Sequence, residues 1–209
     1  IDSQMTGRGP YFGSFSIQAG TLAVGRFGFG AADLVEIDNG ATLSTIAHSR
    51  LYGDVTIHAG GGTIDTGPSN FDMWGGVDCQ GTLTKAGSGT LLIEDRSRTG
   101  PGAGGINVTG GTVALGSTFA AGTGIIKLAD GTTLRNATCI CTTLTIDNEV
   151  RIAPAGTASF DGASFRTNLK GVISGGNAHF MSSVSVPDMW TSFFLNAANT
   201  YGDTLIGPN

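Results

Sequence analysis

Three ionisable side chains recur at a regular spacing in the first half of the chain. Asp38, His58 and Asp78 are twenty residues apart, and each directly follows an apolar residue. If the chain coils with twenty residues per turn, these side chains stack outward on successive turns, about 5 Å apart. Carboxylates beside an imidazole form an acid–base set that could cleave polysaccharides. We favour a solvated polar face, because no Arg or Lys that could hold an acidic sugar follows the same spacing.

Aromatic residues supply a second set of candidates, for binding rather than catalysis. Trp74 and Trp190 each end an Asp-Met-Trp sequence, and Phe194 follows Phe193. Adjacent residues of a strand point to opposite faces, so one of these two Phe rings is exposed unless a loop covers it. A large rigid ring can stack on a sugar or anchor a partner, although packing in the core or against a loop is the more common role.

Other chemistry finds no support in the sequence. Neither Gly-x-Ser-x-Gly nor His-Glu-x-x-His occurs, and Cys139-x-Cys141 has no second cysteine pair to complete a zinc site. We therefore predict no catalytic residue, no metal and no cofactor. With Cys79 there are three cysteines, an odd number, so a complete set of internal disulfides is impossible. A net charge of −5 without a basic run excludes a nucleic acid partner.

The composition indicates the kind of scaffold that must position these residues. The 209 residues include 35 Gly and 6 Pro, which disfavours a helical bundle. Hydrophobic residues make up 40% and alternate with polar ones, so the chain can bury a core and is not disordered. This length is compatible with one all-β domain.

An internal period near twenty residues favours a coil of stacked turns. Apolar residues that close a short strand recur every twenty positions at Ile17, Ile37, Ile57 and Val77, and again from Val108 to Leu128. A second apolar residue follows each Gly-containing turn, at Leu22, Leu43, Ile64, Leu83, Val113 and Leu134. Equivalent positions repeat when turns stack at a constant distance, whereas the strands of a sandwich have unequal neighbours. We predict a parallel β-helix (β-solenoid) with about 20 residues per turn and two strands in each.

A longer repeat carries a family resemblance. Residues 75–93 read G-G-V-D-C-Q-G-T-L-T-K-A-G-S-G-T-L-L-I, and residues 170–176 begin a second copy with K-G-V-I-S-G-G. The first stretch resembles the passenger-associated transport repeat of bacterial autotransporters, and residues 193–206 resemble the end of that repeat. The copies span about 75–116 and 170–209, and the tail of a preceding copy lies at about 15–25. The second copy lacks the Leu-x-Lys-x-Gly-x-Gly core.

The resemblance implies a right-handed β-helix, with residues 1–209 as a single segment of a longer passenger. It further implies a non-enzymatic, stalk-like or adhesin-like role in a protein that is secreted or displayed on the surface of a Gram-negative bacterium. Such a passenger is tethered to the outer membrane through a C-terminal barrel outside this chain, and its partner is a host-cell or cell-surface protein or glycan. The residues that could bind it are Trp74, Trp190, Phe194, Asp38, His58 and Asp78.

Two other functions compete with the passenger. The first is a carbohydrate-active β-helix, such as a polysaccharide lyase or a phage tail depolymerase, that uses Asp38, His58 and Asp78. The second is a sandwich-type lectin, in which the apparent period is accidental.

Overall fold

Short runs of alternating apolar and polar residues form the strands of the protein. The computed structural model describes residues 3–5, 13–25, 32–94, 102–138, 142–163, 166–183 and 191–207. The strand Leu34–Ile37 shows the pattern, because Val35 and Ile37 are buried while Leu34 and Glu36 are only half-buried. No α-helix occurs in these ranges, so none of sufficient length and apolarity to cross a membrane is found there.

The strands of the described residues follow one another in chain order as β1 (Ser3–Met5), β2 (Ser14–Ile17), β3 (Thr21–Val24), β4 (Leu34–Ile37), β5 (Thr42–Thr45), β6 (Ser49–Leu51), β7 (Asp54–Ile57), β8 (Gly62–Asp65), β9 (Phe71–Met73), β10 (Val77–Cys79), β11 (Leu83–Ala86), β12 (Thr90–Ile93), β13 (Ile106–Val108), β14 (Thr112–Leu115), β15 (Ile126–Leu128), β16 (Thr133–Asn136), β17 (Leu144–Ile146), β18 (Val150–Asp161), β19 (Arg166–Leu169), β20 (Ile173–Met181), β21 (Ser192–Leu195), β22 (Thr200–Tyr201) and β23 (Thr204–Ile206).

These strands stack into a parallel β-solenoid with three faces and roughly 22 residues per turn. Face 1 contains β1, β3, β5, β8, β11, β13, β15, the first parts of β18 and β20, and β22. Face 2 contains β6, β9, β12, β14, β16, the last parts of β18 and β20, and β23. Face 3 contains β2, β4, β7 and β10, and later β17, β19 and β21. The parallel pairing of successive turns contradicts the sandwich alternative and confirms the predicted solenoid.

The core is built from columns of inward residues, one from each turn. On face 1 the paired residues of one column are Leu22, Leu43, Ile64, Lys85, Val108, Leu128 and Ile152. The step along this column is 21 residues at Leu22 to Leu43, 20 at Val108 to Leu128 and 24 at Leu128 to Ile152. Loops of different length between the strands therefore raise the average step above the predicted twenty.

The prediction of two strands per turn was wrong, and some residues were therefore assigned to the wrong column. The face 1 partner of Ile64 is Lys85 rather than Leu83. Val113 pairs with Leu91, and Leu134 pairs with Val113, so both residues belong to face 2 instead of face 1. Because each turn contains a third strand, positions that are assigned with two strands per turn can fall on the wrong face.

Candidate functional site

The predicted column of Asp38, His58 and Asp78 is only partly formed. Ile37 pairs with Ile57, so Asp38 and His58 occupy equivalent positions on adjacent turns, as predicted. The next step is 22 residues, because Ile57 pairs with Cys79, and Asp78 lies opposite Thr56. The position that follows His58 is therefore Gln80, and the predicted alignment of Asp78 with His58 was wrong.

The extra two residues enter at two places: one between β7 and β8, since Leu43 pairs with Ile64 at a step of 21, and one in the corner between faces 1 and 2, since Ser49 pairs with Phe71 at a step of 22. In this corner, residues 67–70 take the place of residues 46–48 of the preceding turn. Together the two insertions move every later residue of that turn two positions out of the twenty-residue period. Because a shift of two keeps the same side of a strand outward, Asp78 is still exposed.

His58 has a carboxylate partner that the sequence did not reveal. Its Nε2 lies 3.2 Å from Oε1 of Glu36 on the preceding turn, and about a third of each side chain is exposed. The Asp38 carboxylate accepts a hydrogen bond from the backbone N–H of Asn39. One imidazole and one carboxylate thus meet on face 3, instead of the predicted imidazole between two carboxylates.

The aromatic candidates differ in their surroundings. Phe193 packs edge-on against Phe180 of the core, with ring centroids 5.1 Å apart, while Phe194 is 49% exposed. This confirms that the two rings point to opposite faces of β21. Trp190 lies outside the described residues. Trp74 is half-buried and belongs to a cluster on face 2.

This cluster, the Arg50 cluster, consists of His48, Arg50, Tyr52, Asp72 and Trp74. Arg50 pairs with Asp72 across β6 and β9, and Tyr52 and Trp74 directly follow these strands. The same alternation therefore directs all four side chains outward on two adjacent turns. The Arg50 guanidinium carbon lies 4.4 Å from the centroid of the Trp74 ring, and the Tyr52 and Trp74 rings meet edge-on at 5.5 Å.

Asp72 holds the basic members of the cluster in place. Its Oδ2 accepts hydrogen bonds from Nε and Nη2 of Arg50, at 3.3 and 3.2 Å, and lies 3.1 Å from Nε2 of His48. Nη1 of Arg50 donates to the hydroxyl oxygen of Tyr52 at 3.3 Å. Hydrogen bonds to Tyr52 and Asp72 raise the pKa of Arg50, so its positive charge is permanent. A polar chain thus runs from His48 to Tyr52.

Sequence reasoning found Trp74 but missed the other members. The available signal is a pair of short sequences, Arg50-Leu-Tyr52 and Asp72-Met-Trp74, that place a charge and a ring two residues apart. Their offset is 22 residues, which a twenty-residue period does not align. A period with two strands per turn also assigns no strand to face 2 in this part of the chain, so it does not predict the contacts made there.

Lys85 and Cys79 are titratable groups of the interior that solvent does not reach. Lys85 is fully buried, and its Nζ donates to the carbonyl oxygens of Ala86, Gly87 and Gly110. Burial lowers the pKa of Lys85 to about 8. Burial, with a smaller contribution from Asp78, raises the pKa of the Cys79 thiol to about 12, so this thiol is neutral and inaccessible.

Metal ligands are not grouped in the described part of the chain, where no set of three or more His, Cys, Asp or Glu side chains could hold an ion. Cys139 and Cys141 lie outside the described residues.

No family model, curated protein or solved structure significantly matches the sequence or the fold of this chain. The arguments on function therefore rest on the residues and on the geometry given above.

Proposed function

We propose that this chain is a non-enzymatic, stalk-like segment of a secreted, surface-displayed passenger of the autotransporter type. In this role the solenoid holds other parts of the protein away from the cell and offers its faces to cell-surface partners. The observation that carries the proposal is the ladder of face 1, which runs without a missing strand from β1 to β22.

The ladder gives the properties that a stalk needs. Successive strands are about 4.8 Å apart, so the ten strands of face 1 span on the order of 43 Å. Each turn buries its apolar side chains against the turns before and after it, and the buried residues form one continuous cluster. Extension along the coil axis is therefore coupled to core packing, which makes the segment stiff.

The resemblance to the autotransporter repeat supports the proposed route of export. Residues 75–93, which resemble that repeat, contain β10, β11 and β12 and thus make one complete turn through all three faces. The Lys of the motif is Lys85, whose ammonium group links this turn to Gly110 of the next. We infer that the passenger is exported through a C-terminal barrel in the outer membrane of a Gram-negative bacterium.

The carbohydrate-active alternative retains one observation in its favour, the contact between His58 and Glu36. An imidazole and a carboxylate can exchange a proton, but cleavage of a glycosidic bond also needs a group on the other side of the scissile bond. With Asp78 displaced by two residues, the described part of face 3 aligns no second carboxylate with His58 except Asp38.

The proposal is tested on the native gene and on intact cells. The gene should encode an export signal before this segment and alternating barrel strands after it. An antibody against the segment should label intact cells, and protease added outside should remove the label. A gene without a barrel, or a segment that is protected until the cells are lysed, would overturn the proposal.

A second assay separates the stalk from the enzyme. The purified protein is incubated with neutral and uronic acid-containing polysaccharides, and new reducing ends and unsaturated products are measured. We expect none above a heat-inactivated control. Cleavage that disappears in His58→Ala but persists in His179→Ala would replace the proposal with the alternative.

A further inference from the structure

We infer that the Arg50 cluster is a binding site for a neutral glycan, with the Tyr52 ring as the surface on which a sugar ring stacks. This site is independent of the route of export, because it depends only on side chains of two adjacent turns of face 2.

Tyr52 is the exposed ring of the cluster. It is 54% exposed and has the Arg50 guanidinium carbon 5.9 Å from its centroid, whereas Trp74 is half-buried and has that carbon closer, at 4.4 Å. A sugar can therefore reach the face of Tyr52 more readily than that of Trp74, which was the candidate from the sequence. Trp74 instead supports Tyr52 from the side through the edge-on contact at 5.5 Å.

The ring is held before any ligand arrives. Its hydroxyl oxygen accepts a hydrogen bond from Arg50, and Arg50 is fixed in turn by two hydrogen bonds to Asp72. Only 12% of the Asp72 side chain is exposed, so this carboxylate is a rigid anchor. A platform that loses little rotamer freedom on binding gains affinity for that reason.

The border of the platform is polar, which matches the chemistry of a sugar. A pyranose has an apolar C–H face surrounded by hydroxyl groups, and aromatic rings with polar tips suit such ligands. Arg50, beside Tyr52, and His48, at the other end of the cluster, both present further hydrogen-bonding nitrogens to solvent. From His48 to Tyr52 the strand direction covers about 13 Å, enough for about two sugar units.

A protein partner fits the surroundings less well. Among the large exposed apolar side chains of the described residues, only Ile46 lies in the same part of the chain as Tyr52. The others are at Phe119 or beyond it in the sequence. The site thus lacks the contiguous apolar centre that protein interfaces use, and offers one ring with a hydrogen-bonding rim.

The charge balance favours a neutral sugar over an acidic one. Asp72 neutralises Arg50, and Glu94 follows Ile93, the partner of Met73, so it adds a carboxylate one turn beyond Trp74. The chain as a whole has a net charge of −5. An anionic ligand would find no unpaired permanent cation among these residues.

The test is a microarray of neutral and of sialylated, sulfated or uronic acid-containing oligosaccharides, followed by calorimetric titration of the best neutral probe. We expect neutral probes to bind and the affinity to change little between low and high salt. Tyr52→Ala should weaken binding at least about tenfold, and Tyr52→Phe should stay within about threefold, because it keeps the ring. Phe119→Ala removes a ring of similar exposure, 49%, elsewhere on the surface and should have no effect.

Urea unfolding of each variant separates binding from folding. Tyr52→Ala should retain the unfolding midpoint of the wild type within a small shift, since its ring is mostly exposed. Absence of binding to every neutral probe, equal binding by Tyr52→Ala and wild type, or salt-sensitive preference for acidic probes would each overturn the inference. None of these outcomes affects the proposal of surface display, which is tested on the gene and by labelling of intact cells.

Discussion

The corner between faces 1 and 2 is built in two different ways in the two halves of the solenoid. In the turn of β11 and β12, the strands end and residues 87–89 form a separate corner, beneath which Lys85 is buried. In the C-terminal half, β18 and β20 run through the corner without ending. Their pairing is irregular between Ile152 and Thr157, where Ala155 has a φ of +58°.

The difference shows how one fold satisfies the same backbone requirement by two means. A buried carbonyl group at a corner that finds no backbone N–H on the neighbouring turn needs another donor. At the first corner, the Lys85 ammonium supplies three hydrogen bonds, one of them to Gly110 on the next turn. At the second corner, the paired strands continue on both sides, and the bend is taken up by left-handed residues, Ala155 and Gly175.

The largest effect is expected from removal of the buried ammonium group. Lys85→Ala leaves a cavity and removes the ammonium donor from three carbonyl oxygens, of which only that of Ala86 has further donors, the backbone N–H and the hydroxyl of Thr66, among the described hydrogen bonds. This should lower the free energy of unfolding by about 2–5 kcal/mol. Lys127→Ala is the matched control, because Lys127 is exposed on the same face and should cost less than about 0.5 kcal/mol. Urea unfolding measures both, and equal costs would contradict the role given to Lys85.

The titration of Lys85 gives a second test of its buried position at the corner between β11 and β12. Burial lowers its pKa from 10.5 to about 8, so between these values the folded chain has lost a proton that the unfolded chain still binds. Stability contributed by this group therefore rises with pH across that window and is constant below it. The difference in unfolding free energy between wild type and Lys85→Met should increase from pH 8 to pH 10.5. A difference that is flat or decreases would show that the native pKa is not lowered.

Lys85 also shows why only part of the fold was predictable. The face 1 column was found as far as Ile64, because apolar residues recur at steps of 21. The next member is a lysine, which a search for apolar residues passes over in favour of Leu83. A lysine can replace an aliphatic residue only because the corner supplies three acceptors, and this depends on residues in two turns. Parallel stacking thus follows from the period, whereas the register requires the length of each corner.

The candidate site was predicted incompletely for the same reason. Asp38 and His58 were aligned correctly, because the corner between them is short and the step is twenty residues. Asp78 was misaligned by two single-residue insertions, one between β7 and β8 and one in the corner that precedes β9. The Arg50 cluster depends on pairing between β6 and β9, and this pairing shares that corner. Contacts between side chains of adjacent turns can be predicted only when the corner lengths are known.

A smaller effect is expected from a buried carboxylate that anchors the end of β18. Asp161 accepts hydrogen bonds from Nε of Arg135 at 2.7 Å, from the backbone N–H groups of Ala163 and Ser183, and from the Ser183 hydroxyl. Asp161→Asn should cost about 1.5–3 kcal/mol at neutral pH, because the hydrogen bonds lose their charged acceptor. Asp147→Asn, at a mostly exposed carboxylate, should cost less than about 0.5 kcal/mol.

The pH dependence of the same variant separates charge from packing. Burial alone would raise the pKa of Asp161, but the hydrogen bonds from Ser183, Arg135 and Ala163 outweigh it and hold this pKa below its usual range. The stabilisation is therefore complete above the unfolded value, about 3.9, and is lost as the pH falls through the lower folded value. The difference in unfolding free energy between wild type and Asp161→Asn should become smaller as the pH falls into the acid range. A difference that does not change with pH would show that the lost stability comes from packing.

The smallest effect concerns the strain in the continuous corner. A non-glycine residue in the left-handed region costs about 1–2 kcal/mol, and glycine removes this cost but adds about 0.5–1 kcal/mol of chain entropy. Ala155→Gly should therefore stabilise the protein by up to about 1 kcal/mol. Ser88→Gly, at the other corner, has no positive φ to relieve and should destabilise it slightly. Opposite signs in urea unfolding would locate the strain in the continuous corner, whereas equal losses would show that Ala155 is held there without strain and that the two corners differ only in their hydrogen bonds.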